Sequence, residues 1–155
     1  MDKRGVSPVI ATVLLIGVVI ALSVVVFLWF RSFTQETITK FGGQNIQLSC
    51  GDVSFDARYS SGNLEISDTG NVPIYNFNLQ INAGGGSYST QAITDITTSW
   101  PSTGLNQGSA YSGDISSAVS GASSIILIPV LRGTTSSGQE KVYTCGSQYG
   151  KTLSL

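Results

Sequence analysis

The chain has 155 residues, room for one domain beside a leading segment. Eight Lys and Arg stand against nine Asp and Glu, a net charge of −1, and no basic cluster occurs beyond the first residues, which argues against nucleic-acid binding by charge. Histidine is absent and the only cysteines are Cys50 and Cys145, which removes most zinc sites, Ser-His-Asp triads and Cys-His pairs.

In chain order, Lys3 and Arg4 precede Gly5, and residues 6–30 then run without a charge. A secretory signal has an apolar core of about 7–15 residues and a small-residue cleavage site after it. This run is longer, and bulky FLWFRSF follows it. About 20 apolar residues rise some 30 Å as a helix, enough to cross a bilayer. Ser7 can cap the helix, and Pro8 suits its first turn, where a missing N–H costs nothing. Phe27, Trp29 and Phe30 mark the far interface, with Arg31 just beyond. Lys3 and Arg4 hold the short flank in the cytoplasm, although Arg31 and Lys40 weaken the asymmetry.

Phe30, Phe33, Ile38 and Phe41 continue one helical face, and Gly42-Gly43 is a stop signal. The expectation is one rod of roughly 34 residues, near 50 Å long, apolar all round below and amphipathic above. Gly17 and Ala21 form a small-xxx-small pair that lets neighbouring helices approach, a pair that many lone transmembrane helices also carry.

The triplet Lys3-Arg4-Gly5, followed by Val6-Ser7-Pro8-Val9-Ile10-Ala11-Thr12 and the apolar run, resembles the N-terminus of archaeal type IV pilins. Related archaellins share the plan, but S-P-V-I-A-T is more pilin-like. The resemblance covers about 30 residues and departs from bacterial pilins, which usually place a Glu at the fifth mature position, where this chain has Ile10. It implies a leader of residues 1–5, cut between Gly5 and Val6 by a membrane prepilin peptidase that reads Lys3 and Arg4. It also implies a retained helix over 6–43, first membrane-inserted with its N-terminus in the cytoplasm and then packed in the core of an extracellular homo-oligomeric filament. The partners implied are the peptidase, an assembly ATPase with its membrane platform, and identical subunits. Outside lipid the helix would expose on the order of 2,000 Å² of apolar surface, which at about 25 cal/mol/Å² is roughly 50 kcal/mol. It can leave only for somewhere equally apolar. The alternatives are a single-pass cell-surface binding module whose helix never leaves the bilayer, a minor pilin, or an archaellum accessory protein.

Residues 44–155 change to period two. Val53, Phe55, Ala57 and Tyr59 alternate with polar neighbours, as do Leu64 and Ile66, then Tyr75, Phe77, Leu79 and Ile81. Residues 123–132 form a continuous apolar run in which Pro129 requires an edge, bulge or ladder-free place. Val142 and Tyr143 lead a last strand through Cys145. Ser60-Ser61-Gly62-Asn63, Asp68-Thr69-Gly70-Asn71, Gly84-Gly85-Gly86 and Ser136-Ser137-Gly138 supply turns. About seven short strands in an all-β, immunoglobulin-like sandwich are expected. Residues 94–122 are the least regular; Trp100-Pro101 there is either an exposed contact loop or a cover for one end of the core.

Cys50 and Cys145 lie at opposite ends of this domain. In an extracellular setting such a pair reads as a disulfide. No cofactor is expected and no enzyme is read from the chain. Asp68-Thr69-Gly70 matches half of an aspartic-protease dyad, which needs two carboxylates sharing one proton, and a turn accounts for it better. Asp52 and Asp56 give only a slight calcium hint. No N-x-S/T sequon occurs, and the many Ser and Thr leave O-glycosylation open. The low charge of the domain points to packing against copies of itself, to edge-strand pairing between copies, or to a sugar coat.

Overall fold

The computed structural model describes residues 8–33, 45–135 and 137–155. The leader over 1–5, the Gly5–Val6 bond, the Ser7 cap and the upper part of the rod over 34–43 lie outside the described residues. Two units make up the chain, an apolar helix and a β-domain.

Helix α1 runs Pro8–Phe33, with Pro8 as its first helical residue. Its middle is rich in Val and Ile, which are mediocre helix formers in water. In hydrocarbon the backbone must satisfy its own hydrogen bonds, so a helix is the conformation available to a single apolar segment. Two of its hydroxyl side chains also bond within the helix: Thr12 Oγ1 donates to the Val9 carbonyl at 2.9 Å and Ser23 Oγ to the Val19 carbonyl at 2.8 Å.

The β-domain begins with α2 (Ile46–Ser49), whose first turn is capped by Asn45: its side-chain oxygen accepts from the Gln47 N–H at 3.0 Å. A 3-10 turn over Cys50–Asp52 leads into β1 (Phe55–Ser60) and β2 (Asn63–Asp68). Then come β3 (Asn76–Asn82), β4 (Tyr88–Ala92), the one-turn helix α3 (Ile93–Ile96) and β5 (Ala110–Asp114). The long β6 (Ser124–Thr134), β7 (Glu140–Thr144) and β8 (Lys151–Ser154) complete it. One sheet has the order β1-β2-β5; the other has β4-β3-β6-β7, with β8 also pairing β6. All pairings are antiparallel.

The period-two pattern is what builds the core. Ala57, Leu64, Ile66 and Tyr111 from the three-stranded sheet meet Phe77, Leu79, Ile81, Ile125 and Leu127 from the five-stranded one. Their polar neighbours face outward, so the domain is two sheets packed across one apolar layer. A second, smaller cluster joins Ile46 and Cys50 to Leu131 and Cys145, with Val53, Val72 and Tyr143 against it.

Pro129 occupies the ladder-free place its chemistry requires. On one edge of β6, Ser124–Leu127 pair with β8 and Val130–Thr134 with β7, so Pro129 falls between the two partners. Its carbonyl on that edge accepts from the Cys145 N–H at 3.0 Å, and the absent N–H leaves nothing unpaired.

Two expectations are sharpened and one alternative is decided. Among the described residues there are eight strands where about seven are expected; β4 and β8 are short and polar and carry almost no apolar signal. Residues 94–122 contain β5, whose AYSGD sequence has one apolar residue that reaches the core, Tyr111. Trp100 is 7% exposed and belongs to the core, so the exposed-loop reading of Trp100-Pro101 is set aside for that residue.

Candidate functional site

The surface with the greatest functional weight is that of α1. Pro8–Trp29, 22 residues, is long and apolar enough to cross a membrane by length and composition. Every side chain over this span is exposed within the chain, from Val24 at 52% to Val9 at 68% among the larger ones. An apolar helix in a soluble fold is buried on at least one stripe. This helix is apolar all round, which suits an apolar surrounding supplied from outside the chain: lipid, or other helices.

Gly17 and Ala21 are one turn apart on α1 and share a face. A Cβ built on Gly17 would meet nothing within 4 Å, so the chain itself imposes no need for glycine there. Glycine costs about 1 kcal/mol against alanine in a helix interior, a cost that close approach of a second backbone would offset. Of the residues tied to processing, Lys3, Arg4, Gly5 and Val6 all lie outside the described residues.

Cys50 and Cys145 are brought together. Their sulfurs are bonded, with Cα atoms 5.7 Å apart across 95 positions of sequence. Both are buried, and the bond fastens the segment just before β1 to the residue that follows β7. The sequence located this site because two cysteines leave a single possible pairing.

The β-domain's titratable groups engage neighbours on its surface. Asp56 pairs with Lys151, Nζ to Oδ1 at 2.6 Å, which joins β1 of one sheet to β8 of the other. The hydrogen bond from Lys151, and then its charge, hold the Asp56 carboxyl below its ordinary value. Asp114 is likewise lowered, by the Ser116 hydroxyl and then the Ser116 N–H, the latter at 2.8 Å from Oδ1. Arg132 stacks over Tyr75, 4.9 Å from the ring centroid, and reaches Glu140 at 3.7 Å. Asp68 is buried and its Oδ1 accepts from the Gly70 N–H at 3.0 Å, a local turn bond that uses the D-T-G triplet structurally. Asp52 is exposed in its 3-10 turn. Among the described residues, no group of three His, Cys, Asp or Glu is placed to hold a metal ion. A shallow depression on the outer side of the three-stranded sheet is lined by Asp56, Arg58, Glu65, Ser67 and Ser112, with Glu65 and Ser112 opposite one another across β2 and β5.

The arrangement is therefore one apolar helix, exposed on all sides, that precedes a two-sheet domain closed by a disulfide. No family model matches the chain, and no curated protein matches it in sequence. Among solved structures it is similar to the X-ray structure of Northeast Structural Genomics Consortium target SoR45. The two share 11% identity over 68% of this chain and 88% of that one, at a TM-score of 0.35, a likeness too slight to bear on fold or function.

Proposed function

We propose that this chain is a structural subunit of an archaeal type IV pilus, which polymerises through its N-terminal helix into an extracellular adhesive filament. The observation that carries the reading is Lys3-Arg4-Gly5 set before a long apolar helix that is exposed on every side. A helix of that kind is stable in lipid and in a bundle of its own copies, and moves between them without meeting water. The transfer exchanges one apolar surrounding for another, so the large cost of hydrating it never arises. The prepilin peptidase cuts after Gly5, Gly17 and Ala21 sit where helices approach, and the β-domain forms the outer sheath.

We read the β-domain as immunoglobulin-like. Its β1-β2-β5 sheet corresponds to strands A-B-E of that plan, and β4-β3-β6-β7 to C′-C-F-G. Its disulfide departs from the antibody pattern, joining the approach to the first strand with the end of the seventh rather than B with F. A covalent tie at that place suits a domain that works outside the cell and hangs from a rod.

The test is Arg4→Glu combined with Gly5→Trp in cells that carry the native chain as their own copy. The native chain is expected in sheared filaments, shorter by its first five residues in intact mass. The double variant is expected to keep those residues and to give no filaments. Normal mature mass and filaments in the variant would overturn the reading. A native chain that keeps residues 1–5 and stays with the membranes identifies the anchored surface module instead.

A further inference from the structure

We infer that β4 is a self-pairing edge, which joins two copies of this chain as an antiparallel β4–β4 pair. Four other strands lie at the margins of the two sheets, and each carries charge: Asp56 and Arg58 on β1, Asp114 on β5, Glu140 and Lys141 on β7, Lys151 on β8. Charged side chains on an edge are the usual protection against pairing with another chain, because a partner strand would have to cover and desolvate them. Strand β4, Tyr-Ser-Thr-Gln-Ala, has no charge and no proline. No charged residue occurs anywhere between Asp68 and Asp95. It is bonded along one side to β3 only, Asn78↔Ala92 through Asn82↔Tyr88, and its first four side chains are exposed. Tyr88 is 67% exposed, a large aromatic ring left open on an unprotected edge.

The occupant follows from the register. A two-fold antiparallel pair centred on Thr90 uses all five residues of each strand; moving the centre by one residue loses two of the five. Centred there, Thr90 faces Thr90 of the second copy, Ser89 faces Gln91, and Tyr88 faces Ala92. No like charges oppose one another, and a Thr–Thr pair is among those that stabilise sheets. The strand is thus complementary to itself. The result is one continuous sheet through two domains, its affinity drawn from main-chain hydrogen bonds.

The pairing itself does not depend on the pilus reading, but its place in the cell does. Subunits of one polar filament are related head to tail, whereas a two-fold contact closes on itself. On that reading the β4 pair links subunits of two different filaments and acts in bundling.

The test is cysteine cross-linking of the full chain in detergent micelles under mild oxidation, with wild type as the blank, since its own cysteines are bonded and buried. In the pair, the two Thr90 Cα atoms lie about 4.5–5.5 Å apart, within disulfide reach. The two Tyr88 positions are offset by four residues, about 14 Å along the strands. Thr90→Cys is therefore expected to form covalent dimer at least about ten-fold faster than Tyr88→Cys, although Tyr88 is well exposed for random collision. Equal rates, or a Thr90→Cys chain that stays monomeric, overturn the inference and leave the edge to a foreign strand or to solvent. Thr90→Lys, which sets two cations face to face, is expected to separate bundles into single filaments. Cross-linking at Thr90 without any filaments sinks the pilus reading and spares the pair; filaments that bundle as before with Thr90→Lys sink the pair's role in bundling and spare the pilus.

Discussion

The indole nitrogen of Trp100 donates to the carbonyl oxygen of Tyr75 at 3.1 Å and so ties the long loop before β5 to the chain entering β3. The same ring sits edge-on between Phe77, 5.8 Å away, and Tyr111, 4.9 Å away, and Phe77 in turn meets Phe55 at 4.9 Å. Four aromatic rings thus cross from one sheet to the other. Edge-to-face pairs add about 0.5–1.5 kcal/mol beyond their burial. Trp100→Ala is expected to cost about 3–5 kcal/mol through the lost ring. Trp100→Phe keeps most of the packing and loses the hydrogen bond, for about 1–3 kcal/mol. Denaturant midpoints of the two variants measure both; an alanine variant as stable as wild type would show that the loop only rests on the core.

Gly104 marks the other fixed point of that loop. Its φ is +78°, and a Cβ there would overlap the Ile74 carbonyl oxygen and lie 2.6 Å from the Tyr75 Cα. The crowding arises because Ile74 and Leu105 bond reciprocally, at 2.9 and 2.8 Å, which pulls two backbones together beside the glycine. Gly108 has a similar φ of +73° but open space around it. Gly108→Ala is expected to lose about 1–2 kcal/mol from the left-handed backbone alone. Gly104→Ala carries that cost and the backbone clash as well, so its thermal midpoint should fall distinctly further. Equal shifts in the two variants would mean that the Ile74–Leu105 bridge yields easily.

These two positions show where sequence reading succeeds and where it stops. The inward residues of β1, β2 and β3 are legible because half-buried strands alternate, and the missing N–H of Pro129 narrows its place to an edge, a bulge or a ladder-free position, of which the structure shows the last. The disulfide was legible for want of any other partner. Strands β4 and β8 were not, since polar edge strands lack the alternation that burial imposes. Trp100 stayed ambiguous because a tryptophan amid Ser, Gly and Thr reads alike as anchor or as exposed contact, and only the Tyr75 carbonyl decides. The meaning of α1 is of another kind. Its length and apolarity are plain in the sequence, yet what surrounds it lies outside the chain.

Asp56 and Lys151 supply a pH test. The folded carboxyl titrates below its unfolded value because Lys151 bonds it and carries positive charge. A lowered folded pKa means that the contribution is complete above the unfolded Asp range, near about 3.9, and is lost as pH falls through the folded value. The stability gap between wild type and Lys151→Met should therefore be constant at neutral pH and close on acidification below about pH 4. Both side chains are well exposed, so high salt should narrow the gap as well. A gap that persists in acid assigns the effect of Lys151 to packing of its aliphatic stem instead. Nuclear magnetic resonance titration of Asp56 in the two forms measures the shift directly.

The Cys50–Cys145 bond encloses β1 to β7, and so the whole of one sheet and most of the other. Its loss is felt in the unfolded chain, which gains the freedom of a loop of about 100 residues, worth roughly 4–5 kcal/mol in the chain-entropy account. It is felt in the folded chain too, where Ile46 and Leu131 pack around the bridge. Serine at both positions separates the two effects. If loop entropy dominates, the double variant unfolds at lower denaturant with a native hydrogen-exchange pattern near α2. If local packing dominates, the amides of Leu48 and Ser49, which donate to Asn45, and of Cys145, which donates to Pro129, lose protection first while the midpoint moves little. For a domain joined to an apolar helix, the second outcome has a mechanical meaning. The segment just before β1 would be held to the sheet by its covalent tie, and load arriving from the N-terminal side would peel α2 from β6 once that tie is cut. Reductant should then lower the force at which the domain yields when pulled from its N-terminal side, and leave unchanged the force for the double-serine variant.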